Sequence, residues 1–376
     1  MTLANGNKPL RVLAVCAFPV EAAATRFRLA QYVEPLHARN IELTIKPFLN
    51  SEQFVELYRP GGLAKKALGV IRPLLYRLAQ TVKVSKFDVL LIQRECMSFG
   101  PGFFEWLYSS IGRIPIVLDL DDATYLPYMS PSYGRFGSYF KFFGKTNNLI
   151  KRASIVTCGN HHIADYVQNI GTKATVVPTV VDTDLFKPVH RDLAVPVIGW
   201  IGTHSTFRVL EGFFPVFQEL AKRHTFRLKI VGSGRDKIFI DGVDVENIPW
   251  SLEREIADFQ SIDIGVYPVT VTESMTAEWI KAKSGFKAIQ YFSVGVPFVM
   301  SPVGICAELG IPGKTHFNAS SHSEWVIELE RLLVDPELRR AMGQAGRDHA
   351  LQNYTLTSNA DKLAGAIRSS ITGLGK

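Results

Sequence analysis

Three lysines crowd one stretch of this chain: Trp279-Ile-Lys281-Ala-Lys283-Ser284-Gly285-Phe286-Lys287-Ala-Ile-Gln290-Tyr, running on to Gly295-Val-Pro297. The spacing predicts a helix that begins near Ser284 and ends at Gly295. Lysines at a helix N-terminus oppose the helix dipole unless an anion sits there. The first-turn N–H groups, with Lys283 and Lys287, suit a diphosphate. The plainer alternative is a solvated basic helix start.

Gly199-Trp-Ile-Gly202-Thr203-His204-Ser205-Thr206 reads as a strand that ends in a glycine turn and opens a helix. Such a turn presents free N–H groups and small hydroxyls to a phosphate. It also fits a tight turn with Ser205 or Thr206 as helix cap, and His204 as a surface residue. Val231-Gly-Ser-Gly234 is a similar strand end. A dinucleotide fingerprint needs more glycines at set spacing, with an acid about twenty residues on. That pattern is missing here and after the first strand, which disfavours a nicotinamide dehydrogenase. Trp250 follows another strand-like run and borders a nucleotide base in one reading, the core in the other.

In the first half, Asp119-Leu-Asp121-Asp122 follows the apolar run Ile114–Leu118. Ligands of open α/β sheets bind beyond the carboxyl ends of strands. Three clustered carboxylates repel one another, so function or an arginine partner must compensate. Arg26 and Arg28, near the start of the first helix, suit an anion clamp or a structural salt bridge. A metal site lacks any further clear ligand set, so no metal is expected. Between Tyr58 and Lys86, the cations Lys65, Lys66, Arg72, Arg77, Lys83 and Lys86 are interleaved with apolar residues, and 133–145 adds aromatics and bases. Basic amphipathic segments of this kind lie on anionic membranes. A packed helix pair with snorkelling cations is the competing reading. No nucleic-acid recognition motif accompanies the charge.

The elements that must position these residues alternate regularly. Arg11–Phe18, Ile41–Ile45, Phe87–Gln93, Ile114–Asp119, Ser154–Cys158 and Ala174–Val177 read as buried strands, and Thr25–Arg39 as the first helix. Continuous apolar runs alternating with helices imply a parallel sheet covered on both faces. The same grammar restarts at Pro196, with strands at Pro196–Gly202, Phe226–Val231, Ile262–Tyr267 and Phe298–Ser301. Leu329–His349 and Thr355–Ile371 read as later helices, the last of them able to return to the first domain. The expected division is 1–188 and 189–356, with 357–376 completing the N-terminal domain.

A chain of 376 residues suits two such α/β domains. The formal charge of +7 is uneven: residues 1–188 carry a net +8 and residues 189–376 a net −1. An anionic partner is therefore expected for the N-terminal half. Four scattered cysteines without metal spacing, no apolar run of bilayer length and no signal peptide suit a cytoplasmic protein, peripheral on the inner membrane face at most.

Over nearly its whole length, and most strongly over residues 196–310, the sequence resembles the family 4 retaining glycosyltransferases of the GT-B fold. The segments that carry this are Gly199-Trp-Ile-Gly-Thr-His-Ser, Ile262-Asp-Ile-Gly-Val-Tyr-Pro268, Lys283-Ser-Gly-Phe-Lys287 with Gln290-Tyr, Gly295-Val-Pro297 and Ser301-Pro-Val-Gly304. The resemblance implies two Rossmann-like domains with parallel sheets facing across a cleft. It implies transfer of a sugar from a nucleoside diphosphate sugar to a hydroxyl of a glycan or lipid-linked acceptor, with retention and no metal. Gly202, Thr203, His204, Ser205, Trp250, Lys283, Ser284, Gly285, Phe286 and Gln290 would bind the donor. Asp121, Lys287 and Arg26 would act at the reaction centre, with Asp119, Asp122 and Arg28 on the acceptor side. The family usually has two glutamates separated by seven residues, where this chain has Ala282 and Gln290. That departure keeps open a non-catalytic glycan-binding relative, and a nucleotide-sugar epimerase uses the same fold.

Overall fold

The computed structural model describes residues 8–58, 69–127, 138–191, 194–271 and 276–372. The chain forms two compact units, Met1–Thr179 with Thr357–Lys376, and Val180–Leu356. The division falls ahead of the position expected at 188, because Val180, Val181 and Phe186 are buried with the second unit.

In the first unit, β1 (Leu10–Cys16), β2 (Ile41–Pro47), β3 (Val89–Gln93), β4 (Ile116–Leu120), β5 (Ile155–Cys158) and β6 (Ala174–Val176) form one parallel sheet in the order β2-β1-β3-β4-β5-β6. All five residues of β3 and of β4 are buried, as strands covered on both faces require. The order reverses between β1 and β3, which places a topological switch point at their carboxyl ends. The first helix is not continuous as the spacing predicts. It divides into Ala23–Arg28, a 3-10 turn at Ala30–Tyr32, and Val33–His37. Pro35 has no N–H to give the Gln31 carbonyl, so a new helix starts with Pro35 in its first turn. The closing helix Leu356–Thr372 belongs to this unit, where Asp361 accepts from Arg39 at 2.7 Å and Arg368 donates to the Arg39 carbonyl.

In the second unit, β7 (Val197–Ile201), β8 (Arg227–Val231), β9 (Asp244–Ile248), β10 (Ile264–Tyr267), β11 (Phe298–Met300) and β12 (Phe317–Asn318) form a parallel sheet ordered β12-β11-β10-β7-β8-β9. Its switch point lies between β7 and β10. There Gly199 pairs with Gly265, and the missing side chains matter. A Cβ on Gly265 would meet the Tyr291 ring at 2.7 Å, and one on Gly199 would meet Ile262 at 2.2 Å. The Tyr291 hydroxyl donates to the Gly199 carbonyl at 3.0 Å and so ties the helix Phe286–Ser293 to the switch.

The single helix read at Leu329–His349 is two, His322–Val334 and Pro336–Asn353. Pro336 ends the first and starts the second, and Asp335 caps the second by accepting from the Leu338 N–H at 2.9 Å. All four cysteines are free and buried, and burial pushes the Cys16 thiol up to about 11 and those of Cys158 and Cys306 up to about 12. Among the described residues no helix is long and apolar enough to cross a membrane.

Candidate functional site

The carboxyl edge of the second sheet gathers three loops. Ile201 hands the chain to Gly202, whose missing Cβ leaves room for the Trp200 ring only 2.1 Å from where that carbon would lie. Thr203 then caps the helix His204–Glu211 in a capping box with Thr206, and its hydroxyl lies 2.8 Å from that of Ser205. Thr203, His204 and Ser205 are exposed at the head of this helix. After β8, Gly232 and Gly234 take the left-handed region, with φ of 81° and 71°. A Cβ on Gly232 would strike the Gly202 carbonyl oxygen, and one on Gly234 would meet the His204 side chain at 2.6 Å. The two glycine turns therefore pack directly on each other. Half-buried Trp250, past the end of β9, borders Gly232.

On the other side of the switch, Gly285 caps the helix Phe286–Ser293 at φ 60°. A Cβ there would lie 2.3 Å from Leu309, so conformation and space both demand glycine. Ser284, Phe286 and Lys287 are half-buried around this start. Lys287 donates to the Gln290 Oε1 at 3.0 Å and lies 5.1 Å from the centroid of the Phe259 ring. Gln290 is fully buried, and its Nε2 has no hydrogen-bond partner among the described residues. Lys283 lies 5.9 Å from the centroid of Trp279, while Lys281 pairs with Glu278 at 2.7 Å. Ala282 is buried and, as an alanine, offers no polar side-chain atom.

The first unit corrects several expectations. Arg28 and Asp119 are not presented to a ligand. They form a buried ion pair in which Arg28 Nε donates to Asp119 Oδ2 at 3.0 Å and Thr157 donates to Oδ1 at 2.6 Å. Arg28 also donates to the Val177 carbonyl. A desolvated guanidinium is satisfied only by such acceptors, which explains why the two side chains seal together. Arg26 donates to the Val20 and Glu21 carbonyls, both at 3.2 Å, and braces the loop after β1.

Asp121 is buried and fully engaged by Arg94, which donates to its two carboxylate oxygens at 2.6 and 2.8 Å. Burial raises the carboxyl's proton affinity, but Arg94, and Arg28 behind it, outweigh this and hold it below the usual carboxylate range. Asp122 sits at the margin, 3.7 Å from Arg94. The group left partly open at the end of β3 and β4 is thus the half-buried Arg94 guanidinium rather than Asp121 itself. Sequence reasoning passed over Arg94; its position immediately after the strand ending at Gln93 was the available signal. Arg94 holds φ 58°, an uncommon conformation for a side-chain-bearing residue, with its N–H on the Asp119 carbonyl at 2.8 Å. Lys65, Lys66 and residues 133–137 lie outside the described residues, whereas Lys141 and Lys145 turn inward to buried Glu95, each at 2.9 Å, and are not offered to a membrane.

Two parallel six-stranded α/β units define the GT-B fold class. Residues 215–365 match the family described as glycosyl transferase-like. The chain is similar to the D-inositol 3-phosphate glycosyltransferase of Segniliparus rotundus, with 25% identity over 236 residues, 56% of this chain and 50% of that protein. The match thus spans about half the length of that relative. Among solved structures it is similar to a sucrose-phosphate synthase from Thermosynechococcus elongatus, with TM-score 0.66, 12% identity, and coverage of 98% of this chain and 100% of that one. It is also similar to Anabaena HepE in complex with UDP-glucose, with TM-score 0.67, 14% identity, and coverage of 96% and 100%. The chain therefore has the GT-B fold, and the glycosyl transferase-like match lies within residues 215–365.

Proposed function

We propose that this protein is a glycosyltransferase that binds a nucleoside diphosphate sugar on its second unit and transfers the sugar, with retention, to a hydroxyl of a glycan or lipid-linked acceptor. The observation that carries the reading is the start of the helix Phe286–Ser293. There Gly285 holds the turn open, Lys287 stands beside it, and buried Gln290 keeps an Nε2 donor without a partner. An unpartnered buried amide is costly and suits a ligand hydroxyl, such as that of a ribose. Anabaena HepE, solved with UDP-glucose, supports a nucleotide-sugar donor. Thr203, His204, Ser205 and Trp250 ring the opposite side of the switch and suit the phosphates and base.

In this mechanism Lys283, Lys287 and the first-turn N–H groups stabilise the leaving diphosphate, so that charge is neutralised without a metal. The diphosphate accepts the proton of the attacking hydroxyl on the same face of the sugar. Arg94, held by Asp121, is the first unit's group for orienting the acceptor. A second reading, binding without turnover, draws on Ala282, which stands buried where the family this sequence resembles usually has a glutamate.

The test is a thermal-shift screen with UDP, GDP, ADP, dTDP and CMP in EDTA, on the wild type and Lys287→Ala. A ligand that binds the folded state raises the melting temperature. One stabilising nucleoside diphosphate, lost in the variant, supports the donor site. Stabilisation by none removes this reading, and stabilisation without sugar release from any donor favours the binding protein.

A further inference from the structure

The helix Ile71–Val82 is inside out. It buries Arg77, Gln80 and Thr81, and it exposes Ile71, Leu75, Leu78 and Val82 at 50%, 63%, 46% and 71%. These four positions share one helical stripe, the stripe that a surface helix ordinarily turns to the core. Arg77 accounts for the inversion. Its guanidinium, 1% exposed, donates to the carbonyls of Cys16 at 2.8 Å, Lys46 at 2.9 Å and Cys96 at 3.2 Å, and to the Gln80 Oε1 at 3.0 Å. Those carbonyls lie at or just past the carboxyl ends of β1, β2 and β3. A buried cation with four acceptors fixes which face points inward. Grouping Arg77 with the membrane-facing cations, as its place in the sequence suggests, is therefore wrong.

The helix packs against Phe103–Gly112, which exposes Phe103, Trp106 and Ile111. Among the described residues, the exposed charges on these two helices and just past their C-terminal ends are cations: Arg72, Lys83, Lys86 and Arg113. Glu105, their one acid, is buried and accepts from the Cys96 N–H at 2.8 Å.

We propose that this face docks on an anionic lipid bilayer, with Leu75, Leu78 and Val82 entering the acyl boundary and the four cations meeting headgroup phosphates. Apolar stripes with aromatic and cationic flanks lie in the membrane interface. A two-fold pairing of copies would instead set like charges against each other. The inference does not depend on the donor site.

The test is flotation of the full-length chain with vesicles of phosphatidylcholine alone or mixed with phosphatidylglycerol. The variants are Leu75→Glu/Leu78→Glu and Lys83→Glu/Lys86→Glu, with melting temperature and light scattering measured alongside. The wild type should float only with the anionic vesicles, and each variant should lose about tenfold in bound fraction. Melting temperature should stay the same, because the substituted positions are exposed, and any nucleotide-induced shift should persist. Wild type that ignores anionic vesicles, or variants that bind them equally well, would overturn the proposal. So would a wild-type dimer that becomes a monomer in Leu75→Glu/Leu78→Glu without lipid, which would make the face an interface between copies.

Discussion

Lys287 reaches Gln290 one turn along the same helix, Nζ to Oε1 at 3.0 Å, and the amide it meets is sealed from solvent. A cation is thereby held at the helix start against the dipole, in a position that only an anion or acceptor compensates. Gln290→Glu converts this hydrogen bond into an ion pair and should be tolerated while Lys287 is present. In Lys287→Ala the same glutamate is a buried, unpaired charge, and stability should fall by about 3 kcal/mol or more. Urea unfolding of the two single variants and the double variant gives the coupling directly. Additive changes would show that the two side chains do not interact.

Arg28 and Asp119 form a buried pair, so Asp119→Asn leaves a desolvated guanidinium short of its counter-charge. The expected loss is about 3–5 kcal/mol. Denaturant midpoints measure it, and the variant should show the loss whether or not a donor is present.

Arg94 separates a site role from a packing role. Its side chain is 29% exposed, so Arg94→Lys should keep most of the stability while losing the two-pronged grip on Asp121. Sugar transfer at saturating donor is expected to fall at least about tenfold, with the nucleotide-induced thermal shift unchanged. Initial rates against acceptor concentration decide it.

Gly285→Ala should cost about 1–3 kcal/mol, since alanine must adopt φ 60° and meet Leu309. The nucleotide-induced shift should shrink with it, because the turn presents the first-turn N–H groups. Calorimetry with and without the nucleotide reads both effects.

His316 is fully buried, stacked on Phe298, with Thr315 and Asn318 on its ring nitrogens. Burial lowers its proton affinity, from 6.5 to about 4. The unfolded chain therefore takes up a proton between those values while the folded chain does not. Stability is full above about pH 6.5 and declines as the pH falls toward 4, by about 2 kcal/mol at pH 5. His316→Gln should remove most of that slope, leaving the contribution of His349, which burial also lowers. Melting curves between pH 7 and 5 test the difference.

The strands were legible because β3, β4 and β7 are apolar at every position or nearly so, which only a two-sided parallel sheet explains. The glycines at 202, 232, 234 and 285 were legible as turns or strand ends. Sequence periodicity overran Pro35 and Pro336, although each proline was visible, because apolar spacing continued across both.

The chain order of strands, helices and glycine turns, and with it the GT-B class, is determined by the sequence, since apolar runs and turn chemistry act locally. Which polar group faces which was decided by tertiary structure. Arg28, Arg77 and Arg94 look alike as letters, yet one seals Asp119, one turns a helix inside out, and one stands half-open on Asp121. A charge takes its role from the acceptors that the folded sheet brings within reach, 77 to 16 or 94 to 121, and those separations are invisible until the strands align.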